Sequence, residues 1–261
     1  MPNNQKTDYI LTLPLKWGAD THKGKSREEN EDRFALEPET GLFVVSDGMG
    51  GHRGGKLAAN IVTEDLPAMI ETKLAALRSS NSRAIRRLFK KTITQQSRQL
   101  QMEANSESGY KGMGATLVML LIKSRRAFIA NLGDSRLYRL RKGRLHQLSR
   151  DHSVVSELVE KGKIEPEQTQ DHPFSGQLTG YVGMEDKVTP FICSFTIQKN
   201  DRFLLCTDGL TDMLKERAIS AVLKRRKDPQ SAAEVLVEQA NAAGGYDNIT
   251  AVVIDWLGKA D

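Results

Sequence analysis

VVSDGMG, residues 44–50, returns in outline as LCTDGLT, residues 205–211. In each, mostly apolar residues run into a hydroxyl side chain, then Asp, Gly and a large apolar residue: Ser46-Asp47-Gly48-Met49 and Thr207-Asp208-Gly209-Leu210. An apolar run stopped at Asp-Gly reads as a buried strand ending in a tight corner. Glycine allows the turn and lets other groups come close. Two looser versions, ANLGDSRLY (130–138) and GGYDNITAVVI (244–254), set Asp134 and Asp247 at similar corners. A lone Asp-Gly is ordinary turn chemistry. Four aspartates at strand-end corners are better explained by a shared site.

Outward from these corners the chain alternates runs of strands with runs of helices. Strand patterns fall at 15–22, 33–37 and 41–46, followed by helical patterns at 54–78 and 81–104, the first interrupted or bent at Pro67. After a polar loop at 105–112, strands are expected near 114–122, 126–131 and 135–141, with Lys142-Gly143 turning into another at 144–148. A short helix near 154–161 opens a polar, glycine- and proline-bearing stretch to Gly183. Residues 188–197 and 202–207 read as a hairpin that sets Cys193 opposite Cys206. Helices at 215–225 and 229–242 precede a last strand, ITAVVIDW (249–256). Strict β-α-β-α alternation is missing, so an α+β fold is expected, with antiparallel sheets and helices packed outside them. There is no linker-like gap and no repeat. The expected division is a lead at 1–14, one domain at 15–257 and a tail at 258–261.

Composition narrows the class. The 261 residues are 39% apolar and 27% charged, ordinary for a globular chain with enough length to bury a core. The longest apolar run, at 116–122, falls far short of the roughly 18 residues that span a bilayer. No secretory signal is legible at the N-terminus. Two cysteines make neither a disulfide framework nor a four-thiolate zinc site. A cytoplasmic protein with no membrane partner is expected. The net charge of +5 collects partly in Arg83, Arg86, Arg87, Lys90, Lys91 and Arg98. These alternate at helical spacing with Ile85, Leu88, Phe89 and Ile93, which is the outer face of an amphipathic helix rather than a nucleic-acid surface.

Carboxylates gathered in one place repel, and burial raises their pKa values, unless cations lie between them. Oxygen-only donors suit Mg²⁺ or Mn²⁺, whereas zinc favours His and Cys. The segment KSREENEDRF (25–34) adds Arg27, Glu31 and Asp32 just ahead of a strand. Arginine presents paired donors that match phosphate oxygens.

At these residues the sequence resembles the metal-dependent protein serine/threonine phosphatases of type 2C, the PPM family, in a bacterial-type version. The matching elements are REENED (27–32), VVSDGMGGHRGG (44–55), GMGATLV (112–118), NLGDSRLY (131–138), LSRDHS (148–153), LLCTDGLTD (204–212) and GYDNIT (245–250). Seven short matches in the family's order, from about Lys16 to Trp256, are specific where each alone is weak. The resemblance implies a four-layer α-β-β-α sandwich with two Mn²⁺ or Mg²⁺ ions at one end and a third, weakly held. It implies that Asp47 bridges two metals, that the Gly48 carbonyl ligates one of them, and that Asp208 and Asp247 ligate the other. Glu31 and Asp32 match acidic positions around the second metal's water shell, and Asp134 with Asp208 matches the third site. Arg27 resembles the phosphate-binding arginine. The implied reaction is hydrolysis of phosphoserine and phosphothreonine in proteins by a metal-bridging hydroxide, without a covalent phosphoenzyme. The implied setting is a monomer opposing a bacterial serine/threonine kinase.

Two departures and three rivals bear on that reading. Met49 stands where animal relatives carry a histidine, and His52 takes no acid role. The flap, about 158–183, reads HPFSGQLTGYVG at 172–183 where relatives often carry an Arg/Asn-bearing stretch. His152 and His172, beside it, read as structural. A P-loop at GGHRGGK (50–56) would need Ser or Thr at 57, which is Leu57. Thiol phosphatase chemistry needs an arginine six residues after the cysteine, yet Lys199 follows Cys193 and Asp212 follows Cys206. A binding-only relative would have lost a metal ligand, and Asp47, Asp208 and Asp247 are all present.

Overall fold

The computed structural model describes residues 13–50, 54–79, 81–106 and 110–258. His52, the middle of the P-loop-like stretch and most of the expected lead and tail lie outside the described residues. The chain opens with β1 (Leu15–His22), β2 (Arg33–Glu37), β3 (Leu42–Ser46) and the short β4 (Gly48–Met49). Two long helices follow, α1 (Gly54–Ala75) and α2 (Ser82–Ser106). Then come β5 (Gly114–Ala115), β6 (Leu117–Lys123), β7 (Arg126–Leu132), β8 (Arg136–Arg141) and β9 (Arg144–Gln147). The short α3 (Val154–Glu160) leads through the flap to β10 (Phe191–Thr196) and β11 (Asp201–Cys206). The chain closes with α4 (Asp208–Thr211), α5 (Glu216–Arg225), α6 (Pro229–Ala242) and β12 (Ile249–Trp256).

Two five-stranded antiparallel sheets result, in the orders β1-β12-β11-β8-β9 and β10-β7-β6-β3-β2. The period-2 alternation of each strand divides its apolar side chains between two layers. In β3, Phe43 and Val45 enter the layer between the sheets, with Leu120 of β6, Phe203 of β11 and Ile254 of β12. Leu42 and Val44 point the other way, into a layer shared with Ile70 of α1 and Phe89 of α2. On the far side, Leu204 of β11 and Val253 of β12 pack against Ile219 of α5 and Leu236 of α6. Three apolar layers separate four layers of structure, which is the expected sandwich. Each fully buried Leu, Ile or Val contributes about 1.5–3 kcal/mol, and the long continuous apolar runs of β3, β6 and β12 follow from burial on both faces.

Two expectations need correction. Helix α1 continues through Pro67 without the interruption that is one of the two expected outcomes, and the ring is buried with Leu66 and Ile70 on its packed face. Tertiary burial there outweighs the lost backbone bond. Strands β10 and β11 do not form a hairpin. β10 pairs with β7 in one sheet and β11 with β8 and β12 in the other, so the turn between them crosses the sandwich. Cys206 is buried towards the helices, while Cys193 is half-buried beside the layer between the sheets, so the thiols do not face each other. The Lys142-Gly143 turn is as expected, with both residues at positive φ (49° and 75°), as a two-residue hairpin requires.

Register gathers the strand ends. Arg33 lies opposite Ser46, Arg136 and Ala251 lie opposite Cys206, and His22 lies opposite Ile249. The corners after β3 and β11, the turn into β8, the start of β12 and the loop after β1 therefore meet at one end of the sandwich.

Candidate active site

At that end the two sheets open into a cleft of about 500 Å³. Arg27, Glu31, Asp47, Gly48, Asp134, Asp208 and Asp247 all line it, drawn from five separate places in the chain.

The backbone fixes each corner. The Asp47 N–H donates to Thr116 Oγ1 at 2.9 Å, and the Asp47 carbonyl accepts from the Thr116 N–H at 2.8 Å. The same Thr116 hydroxyl lies 2.6 Å from Ser135 Oγ, tying the Asp47 corner to the residue after Asp134. Gly48 is needed for close approach, since a Cβ there would sit 2.1 Å from the Gly55 carbonyl oxygen. Gly209 is pinned likewise, its Cβ position 2.0 Å from the Asn248 carbonyl oxygen. Asp208 follows the helix-capping residue Thr207 and opens α4.

Asp32 departs from its partners. It is buried behind the cleft rather than lining it, and its Oδ2 accepts from Thr207 Oγ1 at 2.8 Å and Thr250 Oγ1 at 2.7 Å. Burial pushes its pKa up to about 7 against the pull of those two hydroxyls. It braces the corners that carry Asp208 and Asp247. Asn248, which motif reading passed over, does the same for the loop after β1. Its Oδ1 accepts from the Glu31 N–H at 2.7 Å, and its Nδ2 donates to the Lys23 and Glu29 carbonyls, each at 2.9 Å. An asparagine opening a strand beside an aspartate was the available signal. Arg27 donates to Asp247 Oδ2 at 2.7 Å and remains exposed.

The flap supplies further residues that motif reading did not single out. Gly176, Leu178 and Tyr181 line the cleft. Isolated bridges anchor the flap, Ser153 to Leu178 and Ala115 to Val182, and Gln170 Nε2 donates to the Asp212 carbonyl at 2.8 Å. His152 lies against the turn at Gly133, its Nδ1 within 3.3 Å of that residue's backbone and its pKa lowered by burial. His172 accepts from the Phe174 N–H inside a flap turn. The Cys206 thiol is pushed up to about 12 by burial, which leaves no thiolate nucleophile at neutral pH.

The electrostatics are those of a cation site. Burial, followed by the neighbouring aspartates, holds Asp47 well above the usual carboxylate range. Asp134 is raised by burial, then by Asp208 and Asp151, and Asp208 by burial, then by Asp247. Asp208 Oδ1 and Asp32 Oδ1 are buried without a hydrogen-bond partner. Such atoms are costly unless something positive meets them. Among the described residues no three His, Cys, Asp or Glu side chains are already closed into a metal shell. The donor set is all oxygen, which fits hard divalent cations and not zinc.

The family model described as protein phosphatase 2C matches residues 21–243. The serine/threonine phosphatase Stp of Listeria monocytogenes is 35% identical over 238 residues, covering 90% of this chain and 93% of its own. The structure of the serine/threonine phosphatase Stp1 from Staphylococcus aureus superposes with a TM-score of 0.84 at 30% identity, covering 94% of this chain and 96% of its own. That of the catalytic domain of the serine/threonine protein phosphatase PstP, in complex with two manganese ions, gives 0.76 at 29% identity, covering 92% and 97%.

Proposed function

The chain belongs to the protein phosphatase 2C family, and from that premise we propose how its residues perform the hydrolysis of phosphoserine and phosphothreonine in proteins. Asp47 and the Gly48 carbonyl would hold one divalent cation. Asp208 and Asp247 would hold a second, and Asp47 would serve both. Glu31 and Asp32 orient the surrounding water, Asp32 from behind through its ties to the Thr207 and Thr250 corners. Asp134 with Asp208 offers a third, weaker site, with Mn²⁺ or Mg²⁺ as the ions. The observation that carries this reading is the convergence of carboxylates from separate chain segments on one cleft, with Asp208 Oδ1 buried and unpartnered.

Bound divalent cations supply positive charge to phosphoryl oxygens and make water a nucleophile near neutral pH. The chain does the positioning. Arg27 is exposed, and among the described residues its ion pair is with Asp247, so its guanidinium can exchange that carboxylate for phosphoryl oxygens, for which its paired donors are shaped. Leu178 and Tyr181 from the flap narrow the cleft and limit water. Met49 lines the cleft and has no proton to give, so the leaving oxygen is protonated from water and not from a side chain there.

The catalytic domain is residues 15–257, acting as a monomer on phosphorylated proteins and opposing a serine/threonine kinase. A reducing, cytoplasmic setting agrees with two free thiols. Among the described residues no helix is long and apolar enough to cross a membrane.

The test is metal titration. Hydrolysis of p-nitrophenyl phosphate is expected to appear with Mn²⁺ and vanish with EDTA. No turnover in saturating Mn²⁺, with binding of the ion shown by calorimetry, would overturn the catalytic reading.

A further inference from the structure

A second groove, of about 250 Å³, adjoins the catalytic cleft where the end of the flap packs on α2. Tyr181 lines both spaces. Met113 forms part of the groove and packs under Gly50, which lines the cleft: a Cβ on Gly50 would sit 2.6 Å from Met113 Cα. The two spaces are therefore neighbours across the β4–β5 ribbon that carries Gly48. The groove is smaller than the roughly 300–1,000 Å³ of a self-sufficient small-molecule pocket. Its size suits side chains of a polypeptide already anchored nearby.

Its walls are built and not incidental. Ser97 Oγ accepts from the Gly183 N–H at 3.0 Å, and Gln101 Nε2 donates to the Glu185 carbonyl at 3.3 Å. These two bonds fasten the segment after the flap to α2. The apolar part is Met113, Met184 and Tyr181, and methionines adapt to varied side chains. The polar part carries the exposed carboxylates of Glu185 and Asp186, and the described lining residues include no lysine, arginine or histidine. Neither carboxylate enters an ion pair among the described residues. Lys187 follows them in sequence but does not line the groove.

We propose that this groove is a substrate subsite: it receives the polypeptide flanking the phosphorylated residue, and Glu185 with Asp186 selects a basic side chain there. The inference rests on the phosphatase reading of the adjoining cleft and names the class of protein substrate it favours, phosphoserine or phosphothreonine with a nearby arginine or lysine.

The experiment compares wild type with Glu185→Lys/Asp186→Lys and Glu185→Gln/Asp186→Asn, each with Mn²⁺. The substrates are p-nitrophenyl phosphate, a phosphothreonine peptide with alanine flanks, and the same peptide with one arginine at successive positions. Both residues are exposed, so the variants are expected to fold, which thermal melting checks. In wild type, arginine at one or two positions should raise kcat/KM over the alanine parent. Charge reversal should reduce kcat/KM for those peptides by about three- to tenfold, mainly through KM, and the neutral pair should cost less. The alanine parent and p-nitrophenyl phosphate should be unchanged. An arginine series that never exceeds the parent in wild type, or a charge-reversal loss equal for every peptide, overturns the subsite. Wild type inactive on p-nitrophenyl phosphate in Mn²⁺ would instead overturn the catalytic reading on which the subsite depends.

Discussion

Asp208 carries the electrostatic cost of burial at the proposed metal site. It opens α4 with a buried oxygen that has no hydrogen-bond partner, and burial, then the charge of Asp247, raises its pKa. Replacing it by asparagine keeps its shape and removes its charge. Asp208→Asn should lower kcat/KM for p-nitrophenyl phosphate by roughly 10²-fold or more in Mn²⁺. Without metal the variant should melt no lower than wild type, because a like-charge repulsion has gone. Wild-type activity in the variant would remove Asp208 from the ligand set. The identities of Asp47, Asp134, Asp208 and Asp247 were legible in sequence because each corner carries its own local signal. Asp32 was legible as an acidic residue but not as a brace. That role depends on Thr207 and Thr250, 175 and 218 residues away.

At the scale of elements, the loop between β1 and β2 has little regular structure, yet it must present Arg27 and Glu31. Asn248 holds it by three hydrogen bonds, to Lys23, Glu29 and Glu31, from the start of β12. Asn248→Ala leaves those backbone groups without their partner. Denaturant unfolding should show a loss of about 2–3 kcal/mol, together with a rise in KM as Arg27 loses its support. A loss under about 0.5 kcal/mol would mean that the loop is held by other contacts. The extents of β1, β2, α6 and β12 followed from periodicity, since an alternating or helical apolar pattern is a local property. The partners of β10 and β11 did not. A strand's alternation is the same whether it turns back on its neighbour or crosses to the opposite sheet. Pro67 misled for a related reason: a backbone rule was outweighed by packing between α1 and the sheet beneath it.

Over the whole molecule, the net charge of +5 hides an uneven distribution. The basic residues of α2 are exposed on its outer face, far in structural role from the carboxylates that crowd the open end of the sandwich. On the proposed metal site, divalent cations would bind the folded chain in preference to the unfolded one. At about 100 times its Kd, Mn²⁺ should stabilise the protein by about 2.7 kcal/mol. For a chain of this size that is a rise in Tm of about 5–10 °C, reversed by EDTA. A Tm unmoved by saturating Mn²⁺ would show that the cluster is not a cation site. The amino-acid sequence by itself determined the strand-end aspartates, the runs of strands and helices and the class of chemistry, because these rest on neighbours in the chain. The tertiary structure alone decided which strands share a sheet, that Asp32 stands behind the cleft, and that Asn248 and Tyr181 border it. It also brought Arg27 against Asp247, 220 residues on. Those outcomes depend on which buried surfaces and unpaired backbone groups find each other across the sandwich, and no local pattern encodes that.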